Sequence, residues 1–250
     1  MAGHSHAANV AIRKGAQDKK RAKLFTKLTK EIMVAAKLGG VDPDSNPRLR
    51  LALKKARGQS LPKDTITRAL KKASGDAGGD NYDEISMEGY GPGGVAVYCD
   101  VLTDNRNRAA GEIRYAFTKG GGNLGTFGCV AYMFNRKGVI ATGHGMDEDT
   151  VMIAALESGA DDVEGIGNDA FEIVTDPAVL EDVANALEAA GISVSSEAVL
   201  FVPDSRVSVT GDDAMMLLKM LDLLDDCDDV QTVYHNADIA TEAIEAYSNS

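Results

Sequence analysis

The chain has 250 residues, of which 44% are hydrophobic, and a formal net charge of −12. That length exceeds the usual single domain, and the apolar content suffices for two or three cores, so disorder throughout is excluded. No stretch approaches the roughly 18 uninterrupted apolar residues of a membrane span, which excludes that class.

The stretch from Met1 to Lys14 is polar and basic and lacks the apolar region of a secretory signal. Cys99, Cys129 and Cys227 are few, far apart and odd in number. They fit reduced thiols better than a disulfide framework, so a cytoplasmic protein is expected.

The net charge hides an asymmetry. Residues 1–75 hold 18 Lys and Arg against 5 Asp and Glu, whereas residues 76–250 hold 8 against 33. A basic module on an acidic body implies a polyanionic partner, DNA or RNA. A plainer reading is open too: the basic head docks on its own acidic body.

Residues 15–38 are expected to form a long helix, with Phe25, Leu28, Ile32 and Ala35 on one face. Lys19, Lys20, Lys23, Lys27, Lys30 and Lys37 fall on the opposite face as a cationic stripe. Gly39-Gly40 stops it. A second helix starts at Asn46-Pro47, where Asn caps free amides and Pro suits the first turn, and it ends at Gly58. Its apolar stripe is Leu49, Leu53 and Ala56, and Arg48, Arg50, Lys54, Lys55 and Arg57 supply charge. A third opens at Pro62, buries Ile66, Ala69, Leu70 and Ala73, and closes at Gly75. Three helices with short loops make a bundle, followed by a Gly/Asp linker at 76–81.

Beyond the linker the period changes. Three strand–helix–strand units are expected: Val95–Leu102, a helix through Ala109–Phe117 and Cys129–Phe134; Phe171–Val174, Val179–Ala190 and Ile192–Val202; Val207–Thr210, Asp212–Leu224 and Val230–Tyr234. The fold class is therefore α+β, a three-helix bundle followed by layered α/β domains.

Catalytic and cofactor signatures are missing. Gly89–Gly94 precedes a strand instead of following one, and Gly120–Gly122 ends a helix, so neither reads as a phosphate loop. The chain has no Cys-x-x-Cys and no Gly-x-Ser-x-Gly. Neither an enzyme nor a cofactor nor a metal is expected. Arg106 and Arg108, interleaved with Asn at the start of a helix, read either as part of a polar helix cap or as a second anion-recognition point. The candidate nucleic-acid-binding residues are Arg13, Lys14, Lys19, Lys20, Arg21, Lys23, Lys27, Lys30, Arg48, Arg50, Lys54, Lys63, Arg106 and Arg108. Phe25 alone among aromatics lies in the head, on the apolar face, so phosphate contact is expected there and base stacking is not.

Several motifs carry a resemblance: Asn9, Arg13-Lys14, Gln17-Asp18, Lys20-Arg21, Phe25-Thr26-Lys27-Leu28, Asn46-Pro47-Arg48-Leu49-Arg50, Pro62-Lys63-Asp64, Glu88–Gly94, Leu102–Arg108, Gly121–Gly125 and Tyr234-His235-Asn236. With the opening Met1–Ser5, they are similar to the YebC/PmpR family from end to end. The resemblance implies three domains. Residues 1–81 hold the arm, bundle and linker. Residues 82–134 plus 206–240 form a discontinuous middle α/β domain, and residues 135–205 an acidic α/β domain inserted into it. Residues 241–250 are left as a tail. It implies a DNA-binding transcriptional regulator or, as the alternative, a translation factor that binds ribosomal or messenger RNA and relieves ribosome stalling. It implies no catalytic residue. The family usually reads Gly-His-Ser-Lys-Trp-Ala-Asn where this chain has Gly3-His4-Ser5-His6-Ala7-Ala8-Asn9, so the arm lacks one fixed charge and one stacking ring.

Overall fold

The computed structural model describes residues 17–75 and 82–248, with residues 17–20 as helix backbone only. The first three helices are α1 (Gln17–Gly39), α2 (Pro47–Gly58) and α3 (Lys63–Ser74). Then follow β1 (Asp83–Tyr90), β2 (Ala96–Thr103), α4 (Arg106–Lys119), β3 (Asn123–Leu124), β4 (Phe134–Thr142), α5 (Glu148–Ser158), β5 (Asp162–Gly167) and β6 (Ala170–Thr175). The chain continues through α6 (Leu180–Ala189), β7 (Val194–Pro203), β8 (Val207–Val209), α7 (Gly211–Asp225), β9 (Val230–His235), β10 (Ala237–Ile239) and α8 (Thr241–Ser248). The fold is mixed α+β, with the helical head first and the sheets after it.

The bundle forms where the apolar periodicity demands. Leu28, Ile32 and Ala35 of α1 bury against Leu49, Leu53 and Ala56 of α2 and Ala69 of α3. Asn46 fixes the α1–α2 corner. Its Oδ1 accepts from the Leu49 amide at 3.1 Å, and its Nδ2 donates to the Ala35 and Gly40 carbonyls, each at 2.8 Å. It satisfies helix ends on both sides, which is why a polar side chain can be buried there.

The described residues sort into two compact units: 17–131 with 216–235, and 132–215 with 236–248. In the first, the bundle shares its unit with a four-stranded antiparallel sheet ordered β3-β1-β2-β9. α4 buries Ala109, Ile113, Ala116 and Phe117, and α7 contributes Leu217, Met220, Leu221 and Leu224. In the second, a four-stranded antiparallel sheet is ordered β5-β6-β4-β7, and its core includes Ile140, Ile173, Val151, Leu180 and Leu187. β8 and β10 pair in parallel.

α5, β5 and most of β4 stand where no element is expected from the sequence, and three further details depart from the sequence expectations. Cys129–Phe134 is not a strand: the residues before Phe134 are turns and a short 3-10 helix. The amides of Gly128, Val130 and Ala131 instead donate to the Glu88 carboxylate at 2.8–2.9 Å, which removes them from any ladder. Asp83–Tyr90, for which no element is expected and whose last two residues open the glycine-rich Gly89–Gly94, is the strand β1, paired with β2 from Asp83–Thr103 to Tyr90–Ala96. Residues 241–248 are helical, with Ile244 buried, where a tail was expected.

Candidate nucleic-acid interface

The stripe on α1 is laid along the C-terminal end of α7. The Lys23 ammonium donates to the Asp226 carbonyl at 2.8 Å and its carboxylate at 2.9 Å. Lys27 donates to the Asp225 carbonyl at 2.8 Å and its carboxylate at 3.3 Å. Lys30 donates to the Asp228 carbonyl at 2.9 Å and the Asp229 carboxylate at 2.8 Å. One helical face thus supplies three cations to a helix end. The last carbonyls of a helix lack intrahelical partners and carry its negative dipole end, so cations belong there.

Asp229 is the node of this contact. It is 2% exposed. Its carboxylate also accepts from Thr103 at 3.0 Å and from Arg108 at 2.7 Å, and its carbonyl accepts from the Leu102 amide at 2.8 Å. Burial opposes its ionisation, but the hydrogen bonds from Lys30 and Arg108 outweigh that and hold its carboxyl below the usual range. The site joins α1, β2, α4 and the turn after α7.

The described candidate arginines are also engaged. Arg48 bonds Glu31 at 2.8 Å and Glu84 at 2.6 Å. Arg106 bonds Asp83 at 2.7 Å and holds its carboxyl low. Arg108 bonds Asp104 as well as Asp229. Asn105 caps α4 by accepting from the Arg108 amide at 3.1 Å. Both arginine forks that were candidates for anion recognition therefore meet the chain's own carboxylates. Arg50 donates to the Pro43 and Asp44 carbonyls. Arg21 lies over the Phe25 ring, 5.3 Å from its centroid. Arg13 and Lys14, and the side chains of Lys19 and Lys20, lie outside the described residues.

A different cationic face is left outward. On α3, Lys63, Arg68, Lys71 and Lys72 are exposed, opposite the packed Ile66, Ala69, Leu70 and Ala73. Arg57, at the end of α2, is exposed as well. Among the described residues, Arg57, Lys63, Arg68 and Lys71 have no carboxylate partner. Arg68 bonds only the Asp64 carbonyl and the Thr65 hydroxyl. Of these four, only Lys63 was a sequence candidate. For Arg68 and Lys71 the signal is their place on α3 opposite its apolar stripe. No described helix is long and apolar enough to cross a membrane, and no three metal-ligating side chains converge among the described residues.

A basic three-helix head, tied by lysines to a sheet whose strands are interrupted by a second sheet segment, defines an architecture shared with known proteins. Residues 5–76 match the TACO1/YebC protein N-terminal domain, and residues 82–237 match the TACO1/YebC second and third domain. The chain belongs to this family. Among its relatives, a protein of Desulforapulum autotrophicum is 51% identical over 98% of this chain and 100% of its own length. One of Idiomarina loihiensis is 52% identical over 98% of each. Both are named probable transcriptional regulatory proteins. The crystal structure of a conserved hypothetical protein from Aquifex aeolicus is 42% identical and superposes with a TM-score of 0.85, covering 94% of this chain and 98% of that one.

Proposed function

We propose that this chain regulates gene expression by binding nucleic acid, duplex DNA in the first instance, through the outward cations of α3 and the end of α2. The observation that carries this reading is the set of exposed cations Lys63, Arg68 and Lys71 on the outward side of α3, where Asp64 is exposed among them, with Arg57 at the end of α2. These cations are free of carboxylate partners among the described residues, on a head with 18 basic against 5 acidic residues. Exposed cations on the outward side of a helix suit phosphates along a backbone. The names of the relatives support the regulatory role. The acidic remainder repels polyanions and so confines contact to the head.

Phosphate contacts carry no sequence information, so the same face serves messenger or ribosomal RNA equally well. Crosslinking the full chain in cells, followed by sequencing of the bound nucleic acid, separates the two. Promoter DNA is the expected recovery, and ribosomal or messenger RNA in its place transfers the reading to translation. Recovery unchanged by K63E/R68E/K71E removes α3 from the interface.

A further inference from the structure

From Ile113 to Met146 the chain carries no Asp or Glu, although residues 76–250 hold 33 of them. Within the unit that contains the bundle, this acid-free run begins on α4, where Arg114, Tyr115 and Lys119 are exposed, and passes through β3 into the turn at residues 125–131. Phe127 stands on that turn with 88% of its surface exposed.

An isolated exposed ring on a loose loop needs no explanation. This loop is held. The buried Glu88 carboxylate accepts the amides of Gly128, Val130 and Ala131, and the Glu88 carbonyl accepts that of Gly125 at 2.8 Å. The Tyr90 hydroxyl donates to the Cys129 carbonyl at 3.1 Å, and the Cys129 amide to that of Thr126. Gly128 takes a left-handed φ of +84°, and a Cβ on Gly125 would lie 2.5 Å from the Cys129 sulfur. A fixed backbone therefore presents a large apolar ring to solvent, its ordering cost already met on folding.

We infer that Phe127 is a stacking platform for an unpaired base of single-stranded nucleic acid. Every base offers a π face, and exposed aromatic rings on cation-bearing segments are how proteins hold single strands. Along the chain, the run that carries Phe127 also carries the exposed Arg114 and Lys119, and the carboxylate that meets its turn, Glu88, is buried and occupied by backbone amides. The inference rests on the nucleic-acid reading above and adds to it a second mode of contact, sensitive to strandedness where the α3 face is not.

The test uses the full chain and two fluorescent probes, an oligo-dT of about 20 nucleotides and a duplex of the same length. F127A is expected to weaken the single strand roughly tenfold, inside the roughly 5- to 150-fold that one stacked base supplies. Duplex affinity and the salt slope should stay unchanged. F127W should restore single-strand binding. Because the chain contains no Trp, its emission is a lone reporter, expected to be quenched by the single strand and not by the duplex. F127A that binds oligo-dT as wild type does, or F127W emission unmoved by it, overturns the inference while leaving the α3 reading intact, and the ring is then one for an apolar protein pocket. Wild type that binds neither probe at low salt overturns both.

Discussion

The bundle carries two cationic faces that look alike in sequence and differ in fate. On α1, Lys23, Lys27 and Lys30 recur at helical spacing and are consumed by carbonyls and carboxylates at Asp225–Asp229. On α3, Lys63, Arg68 and Lys71, five and three residues apart, spread with Asp64 over the outward side of the helix. Periodicity says which residues share a face; it does not say what that face meets. The first face is structural and holds the head to the sheet. Among the described residues, the cations Lys63, Arg68 and Lys71 of the second have no carboxylate partner. Reversing Lys20, Lys23 and Lys27 should, from sequence alone, abolish binding and spare the fold; in the structure the changes at Lys23 and Lys27 would press carboxylates against Asp226, Asp225 and a helix C-terminus, and so unseat the head.

The contrast is broken most forcefully at Asp229. D229A leaves the buried Lys30 ammonium without its carboxylate and should cost about 3–5 kcal/mol in denaturant unfolding, as removing one partner of a buried pair does. A cost below about 1 kcal/mol would make the α1 contact incidental.

A smaller effect is expected at Asp100, in β2 beneath the bundle. Burial raises its carboxyl to about 6, with Glu31 and Glu84 adding to the rise and the Tyr234 hydroxyl and Arg48 opposing it. Because the folded value lies above the unfolded one, ionisation destabilises the fold, and stability gained on protonation appears as pH falls from about 6 towards 4. D100N should therefore stabilise at pH 8 by on the order of 2 kcal/mol and lose that advantage near pH 4. A gain that is independent of pH would contradict the assignment.

The smallest belongs to the rim of the same contact. The Lys23 and Asp226 side chains are 37% and 62% exposed, so K23A should cost under about 1 kcal/mol and less in high salt. Equal costs for K23A and D229A would erase the gradient from rim to node.

Much of the head is legible in the sequence. Asn46-Pro47 announces a cap that the structure realises with three hydrogen bonds, and the apolar stripes of α1 and α2 face each other as their periods require. The α1 docking is not legible beyond the bare possibility of self-neutralisation, because its partners lie about two hundred residues away, with Lys23 and Asp226 separated by 203 positions. β1 is hidden because Asp83-Glu84 and Gly89 dilute a strand pattern, and only pairing with β2 makes sense of them. Cys129–Phe134 looks like a strand from its β-branched and aromatic residues, yet Glu88, some forty residues earlier, takes the amides that a ladder would need. Phe127 carries no signal in the sequence, since its exposure is set by the turn that holds it.

The central claim is that the head grips phosphates with α3 and not with the α1 stripe. The salt dependence of duplex affinity, measured for wild type and for K63E/R68E/K71E, tests it most directly. The account predicts a weaker complex whose log–log slope flattens by about 0.9 for each phosphate that is no longer neutralised, with the unfolding midpoint unmoved. An unchanged slope in a folded variant would contradict it.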